Sequence, residues 1–238
     1  MPALPPDALR VLITGYGPFR GYPVNPSWQA VRPLHNATVH TPSSTAPRAI
    51  HITALEVSTS YAAVLRIVPA LHARPPVLPP AADAPPPPAD GYDLVVHVGV
   101  AGGAPGLRLE QRGRKYAYEI EDADGELCPV ADGTIPPQRG FGGGYEEFPN
   151  ELYTSVDCEK LAGYLKGEGV EKVYTSIDAG LYLCEFINYC SLAEAQRTAV
   201  THEKSTLVLF VHVPDTNVIS TPDATDALGK IIAWICSQ

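Results

Sequence analysis

With 238 residues the chain can bury a substantial core as one large domain or two small ones, and no break in composition favours two. Hydrophobic residues make up 45%, and a formal net charge of −9 without a basic run argues against nucleic acid and anionic membrane as partners, leaving small molecules, peptides or proteins. The start has no basic, apolar leader pattern, no apolar run approaches the roughly 18 residues of a membrane span, and five irregularly spaced cysteines make neither a disulfide framework nor a C-x-x-C metal site, so reduced thiols in the cytoplasm are expected.

Arg10 to Thr14 reads as a short buried strand that runs into Gly15-Tyr-Gly-Pro-Phe19. The glycines there allow a tight turn and close approach of backbone to a ligand, with a plain loop as the alternative. Asn25 caps and Pro26 opens a helix through Arg32, which Pro33 is expected to stop. A strand follows at about 49–57. A helix beginning after Ser58 or Ser60, with Tyr61, Val64, Leu65 and Val68 on one face, is expected to end near Pro69.

Residues 74–90 are dense in proline, which favours extended chain and predicts a surface insertion. Asp93 to Val100 is a near-continuous apolar run, as a parallel strand buried on both faces should be. It ends in the glycine turn Ala101 to Gly106. A short strand carrying Glu110 is expected next. From about Gly113 to Asn150 the composition predicts loops, a mobile cover, with a glycine-rich loop at 139–144 as the most flexible part.

Regular pattern returns with a helix over 155–166 whose inward face includes Cys158, a core thiol by its neighbours. A strand over 172–177 leads through Gly180 to Cys184 and a helix with Phe186, Tyr189, Cys190 and Ala193 on one stripe. Thr206 to Val213 is a second buried run. Thr221 and Pro222 open a final helix with a clean apolar stripe. The alternation predicts an α/β fold with a mainly parallel sheet covered on both faces.

Cys184 stands where a helix begins, where unpaired N–H groups and the helix dipole favour a thiolate; a buried inert thiol is the competing reading. Ligands of such sheets bind beyond the carboxyl ends of the strands, and the Gly15 turn, the Ala101 turn, Cys184 and His212 are all expected at that edge. His212, near a strand end, is a better candidate base than His97, which lies mid-strand among apolar neighbours. Glu110 taken alone reads as solvated surface.

Val11 to Val31, with its Gly-Tyr-Gly-Pro-Phe loop, resembles the amino-terminal signature of the pyroglutamyl peptidase I family, the pyrrolidone-carboxyl peptidases. The resemblance extends in family order to His97-Val-Gly-Val-Ala-Gly-Gly103, Leu109-Glu110, Ser176 to Cys184 and Phe210-Val-His-Val-Pro214. It implies a single domain over 1–238 with a three-layer α/β/α sandwich fold. It also implies a cysteine peptidase that removes amino-terminal pyroglutamate from peptides through a thioester, without metal or cofactor. By motif, Cys184 is then the nucleophile, His212 the general base and acid, and Glu110 the group that orients His212. Tyr16, Gly17, Phe19 and Val100 fall where the lactam is bound. The sequence leaves monomer and homo-oligomer open.

Some positions depart from the family pattern. Tyr16 stands where Phe is usual. Val100 replaces a glutamine of bacterial members, as it does in animal members. Glu119 falls near the place of a bacterial arginine. A related thiol amidase acting on another lactam and a non-catalytic binding module are the alternative readings.

Overall fold

In a computed structural model describing residues 4–5, 7–42, 45–80, 84–202 and 204–238, the buried runs of the sequence lie side by side in one sheet flanked by helices. In chain order the elements are β1 (Leu9–Tyr16), α1 (Pro26–Val31), β2 (Thr38–His40), β3 (Ala49–Val57) and α2 (Tyr61–His72), followed by β4 (Leu94–Val100), β5 (Leu107–Glu110), β6 (Arg112–Arg114) and β7 (Glu151–Tyr153). The rest are α3 (Cys158–Gly167), β8 (Val173–Ser176), α4 (Leu183–Thr201), β9 (Leu207–Val213) and α5 (Thr221–Ile235). Part of two expectations falls outside the described residues: 1–3 and 6 at the chain's start, and 81–83 of the proline-rich stretch. The described remainder of 74–90 holds no residue in helix or strand beyond a turn at its end.

The seven-stranded sheet has the order β2-β3-β1-β4-β9-β5-β8. Strands β3, β1, β4 and β9 run parallel, β5 pairs antiparallel with β9, and β8 runs parallel with β5. Helices α1, α3 and α5 cover one face, packing Leu161, Leu165, Leu228 and Ile231 on Ile13, Val96 and Val211. Helices α2 and α4 cover the other, with Val64, Val68, Phe186 and Tyr189 against Val208 and Phe210. The chain therefore forms the three-layer α/β/α sandwich with a mainly parallel sheet that the alternating pattern predicts. Both faces being covered explains why β4 and β9 read as unbroken apolar runs.

Several helix limits differ from the expected ones. The α1 segment does not stop at Pro33 but tightens into a 3₁₀ turn over Arg32–Leu34. Helix α2 runs through Pro69 to His72, because one missing hydrogen bond near the helix end is offset by burying Leu71 and His72. Helix α3 begins at Cys158, where the Asp157 side chain accepts the Lys160 N–H and sets the start later than residue 155.

Helix α4 is buried on nearly all sides from Leu183 to Ala195, rather than along one stripe. The reason is the segment 113–150, expected to be a mobile cover. It is irregular, but Tyr118, Cys128, Phe141 and Tyr145 are buried in the same cluster as α4. Phe141, inside the glycine-rich loop, stacks on Phe186 with ring centroids 4.1 Å apart. That loop is thus an anchored part of the core on this side, not its loosest piece. Among the described residues no helix is long and apolar enough to cross a membrane.

Candidate active site

His212 sits one residue from the end of β9, flanked in register by Gly99 of β4 and Arg108 of β5. Because β5 is antiparallel to β9 and Glu110 lies opposite Phe210, Glu110 and His212 are diagonal neighbours on the same face of the sheet. Their contact is direct: His212 Nδ1 lies 2.8 Å from Glu110 Oε1. Both are buried, Glu110 completely. A carboxylate only accepts, so this bond places a proton on Nδ1 and leaves the other ring nitrogen for Cys184.

Burial by itself would lower the His212 pKa. The neighbouring Cys184 charge and hydrogen bond, followed by the bond and charge of Glu110, outweigh it and push the imidazole up to about 9. Glu110 is therefore no solvated surface group, as it reads when taken alone. It is one end of a chain that runs Glu110, His212, Cys184.

Cys184 is the second residue of α4 and is partly exposed, whereas Cys128, Cys158 and Cys190 are buried. No side chain caps the first turn of α4; Tyr182, at its N-cap, is extended, and Gly180 makes the approach with φ of +77°. No side-chain cap therefore engages the first N–H groups of the helix, at whose start Cys184 sits. The thiol rests on β4: a β-carbon built on Gly99 would lie 2.7 Å from Cys184 Sγ.

The route by which these groups meet differs from the expected one. Gly15, Ala101 and His212 do share the carboxyl edge of the parallel strands, but β8 runs against β9, so its carboxyl end lies toward the opposite edge. Residues 177–182 bring the chain back over the α2/α4 face, and Cys184 settles above Gly99. Glu110 likewise comes from a reversed strand. The shared carboxyl edge thus accounts for the histidine but not for its two partners.

The Gly15 to Phe19 loop is held by Asn25, the expected cap of α1, and by Ser27 in the first turn of that helix. Asn25 caps α1 through Ser27 N–H at 3.0 Å and also donates to Gly17 C=O at 2.9 Å, while the Ser27 hydroxyl accepts the Tyr16 N–H at 3.0 Å. Gly17 N–H bonds Val57 C=O, so both backbone groups of Gly17 are engaged in fixing the loop. Tyr16 is buried, and its hydroxyl donates to Leu183 C=O at 2.7 Å. Burial, then the Cys184 charge, raises its pKa well above the usual phenol range. Phe19 is half-buried and stacks on Tyr22 at 5.4 Å, with Tyr182 at 6.4 Å. Val100, half-buried, follows Gly99 at the end of β4.

The bland readings of other candidates agree with their surroundings. His97 is fully buried, bonded through Nδ1 to Thr14 Oγ1 at 2.8 Å, and held down to about 3 by burial and by His72. Burial pushes the Cys158 thiol up to about 12 and raises Cys190 as well, where a thiolate is disfavoured. Glu119 is exposed and faces Arg139 at 3.6 Å. The carboxylate that follows the thiol, Glu185, is met instead by Arg114, an ion pair that the sequence signals only as opposite charges 71 positions apart. Among the described residues no group of three or more His, Cys, Asp or Glu side chains is placed to hold a metal ion.

No family model matches the chain. Among curated proteins it is similar to the pyroglutamyl-peptidase 1 of Homo sapiens, 29% identical over 233 residues that cover 96% of this chain and 88% of the human one. It is also similar to the pyrrolidone-carboxylate peptidase of Thermococcus kodakarensis, 24% identical over 87% of this chain and 81% of the relative. Among solved structures, the pyroglutamyl peptidase I of Bacillus amyloliquefaciens superimposes with a TM-score of 0.71 at 24% identity, covering 97% of this chain and 98% of that one. The pyrrolidone carboxyl peptidase of Fervidobacterium islandicum AW-1 gives 0.69 at 23%, over 96% and 99%. These matches run nearly the length of the chain, so that it is similar in sequence and in fold to the pyroglutamyl peptidases I whose motif blocks it carries.

Proposed function

We propose that the chain is a cysteine peptidase that removes the amino-terminal pyroglutamyl residue from peptides, within one domain and in the cytoplasm. One observation carries this reading: His212 bridges Glu110 and Cys184, with the thiol seated over Gly99 at an uncapped helix start. The Cys184 thiolate attacks the carbonyl carbon joining pyroglutamate to the next residue, and the carbonyl π electrons move to oxygen. The free N–H groups of the first α4 turn are the donors for that oxyanion. As the tetrahedral adduct collapses, the C–N bond breaks and the His212 imidazolium gives its proton to the departing amine. Water then attacks the thioester, with neutral His212 taking its proton. Pyroglutamate leaves, and the thiolate and imidazolium are restored. Glu110 keeps the ring in the tautomer and orientation both half-reactions need. Tyr16, Gly17, Phe19 and Val100 border the lactam, Gly17 by holding the loop in shape.

The test is the release of a fluorescent amine from a pyroglutamyl amide by the purified protein. Turnover is expected, blocked by iodoacetamide and absent in Cys184→Ala. Failure of either expectation rejects the reading, and faster turnover of a prolyl or other lactam amide would shift it to a related thiol amidase.

A further inference from the structure

The residue after the proposed nucleophile is a carboxylate. Glu185 lies in the first turn of α4, is wholly buried, and competes for the same positive helix end that would stabilise a Cys184 thiolate. An unpaired buried carboxylate there would oppose a second anion one residue away. The structure answers this charge with Arg114, the last residue of β6. Its guanidinium grips Glu185 with both Nε and Nη2, the latter 2.6 Å from Oε2, and Nη2 also bonds Asp178 in the loop that leads to Cys184. The carbonyl of Arg114 accepts the Tyr118 hydroxyl. The pair with Asp178 is largely exposed, while that with Glu185 is closed off from solvent on the carboxylate side.

We propose that Arg114 is a positioning residue for Cys184: it neutralises Glu185 at the start of α4, leaving the helix end to the thiolate, and ties the Asp178 loop that delivers the thiol. The inference rests on the reading of Cys184 as nucleophile. It concerns a planar, two-pronged contact that a lysine would not reproduce. The other groups that bear on the thiol are His212 of β9 with Glu110 of β5 behind it, Tyr16 of β1 and Tyr182. Those that bear on the Arg114 cluster are Asp178, Tyr118 and Arg112.

The experiment follows Cys184 alkylation by iodoacetamide against pH, located by peptide mass, in the full chain. Arg114→Gln is expected to move the reactivity inflection up in pH, slowing alkylation at pH 7 by on the order of tenfold. Glu185→Gln is expected to move it down, since Arg114 then carries excess positive charge. The double variant is expected to return near the wild-type inflection. A merely structural pair would not shift the two single variants in opposite directions. Unchanged inflections, or shifts of the same sign that do not cancel, would overturn the proposal. If Arg114→Gln does not fold, Glu185→Gln decides alone, its downward shift supporting the proposal and no shift rejecting it. The readout is thiol reactivity, so a wild type inactive on pyroglutamyl amides would overturn the functional reading while leaving these shifts measurable.

Discussion

Cys184 lies directly over Gly99, so that a β-carbon on Gly99 would come within 2.7 Å of its Sγ and equally within 2.7 Å of Phe210 Cζ. The glycine is needed for space, since its backbone has no left-handed φ. Gly99→Ala therefore has to push the thiol off its seat or spread β4 from α4. A displacement near 1 Å at the reacting atom costs about a hundredfold in rate. The overpacking costs roughly 1–3 kcal/mol in stability. Turnover of a pyroglutamyl amide and a thermal melt measured together check this; a variant with normal turnover would mean that Sγ does not act from that seat.

The pH dependence follows from the imidazole. His212 is raised to about 9, so it is protonated at neutral pH and loses its proton as pH passes about 9, and with it the proton that the proposed mechanism gives to the leaving amine. The rate is expected to fall on that alkaline side. A raised pKa also stabilises the fold below the unfolded value of 6.5, a contribution lost as pH rises through about 9. Glu110→Gln removes the charge and acceptor on Nδ1, so the alkaline limb should move toward neutrality by about one pH unit, with at least a tenfold loss of rate. A limb that stays in place in kcat/KM against pH would separate Glu110 from the function of His212.

Much of this arrangement is legible in the chain and some is not, for identifiable reasons. The apolar runs 94–100 and 207–213 announce central strands because a strand covered on both faces cannot alternate. His212 is legible as a residue near such a strand's end. Glu110 is not: its burial depends on β5 pairing antiparallel with β9, and strand direction leaves no mark in four residues. Phe141 is similarly hidden, since glycine around it signals freedom while its ring is fixed by Phe186, 45 positions later in sequence. Asn25 is readable as a helix cap, but the second use of its side chain, donating through Nδ2 to Gly17 C=O, and the Ser27 hydroxyl's hold on the Tyr16 N–H are visible only in the tertiary structure.

The Tyr16 hydroxyl, an apparent change to the lactam pocket, is engaged with Leu183 C=O. Tyr16→Phe should consequently leave the preference for pyroglutamyl over prolyl amides unaltered. It should reduce stability by about 1 kcal/mol, the worth of one buried hydrogen bond whose acceptor stays behind. Relative kcat/KM for the two amides and a denaturant melt measure both effects. A change in preference of tenfold or more would place the hydroxyl in the pocket after all.

Phe141 gives a test of the 113–150 segment as structure. Its ring is buried against Phe186, with Tyr145 at 5.0 Å and Tyr189 at 4.7 Å. Phe141→Ala should destabilise by about 3–5 kcal/mol, as expected of an aromatic removed from a closed core. A segment that merely covers the site would lose little, so a change below about 1 kcal/mol in urea melts would restore the mobile-cover reading. In the expected case, limited proteolysis between residues 113 and 150 should accelerate in the variant, because the ring that pins the loop is gone.

Acid stability should depend on two histidines that take no part in the proposed chemistry. His97 is lowered to about 3 by burial and then by His72; His72 is lowered to about 3 by burial and then by Arg74. Both are neutral in the folded protein at pH 5, while in the unfolded chain they take up protons near pH 6.5. The unfolded state thus binds more protons between about 3 and 6.5, so stability declines as pH falls through that window. Each histidine contributes a slope of about 1.4 kcal/mol per pH unit once the unfolded chain is fully protonated. His97→Gln keeps a hydrogen-bond partner for the Thr14 hydroxyl but cannot take up the proton. Urea melts at pH 6, 5 and 4 should show the variant losing stability less steeply than the wild type by about that slope. Parallel declines would mean that His97 is charged in the fold or exchanges its proton without unfolding.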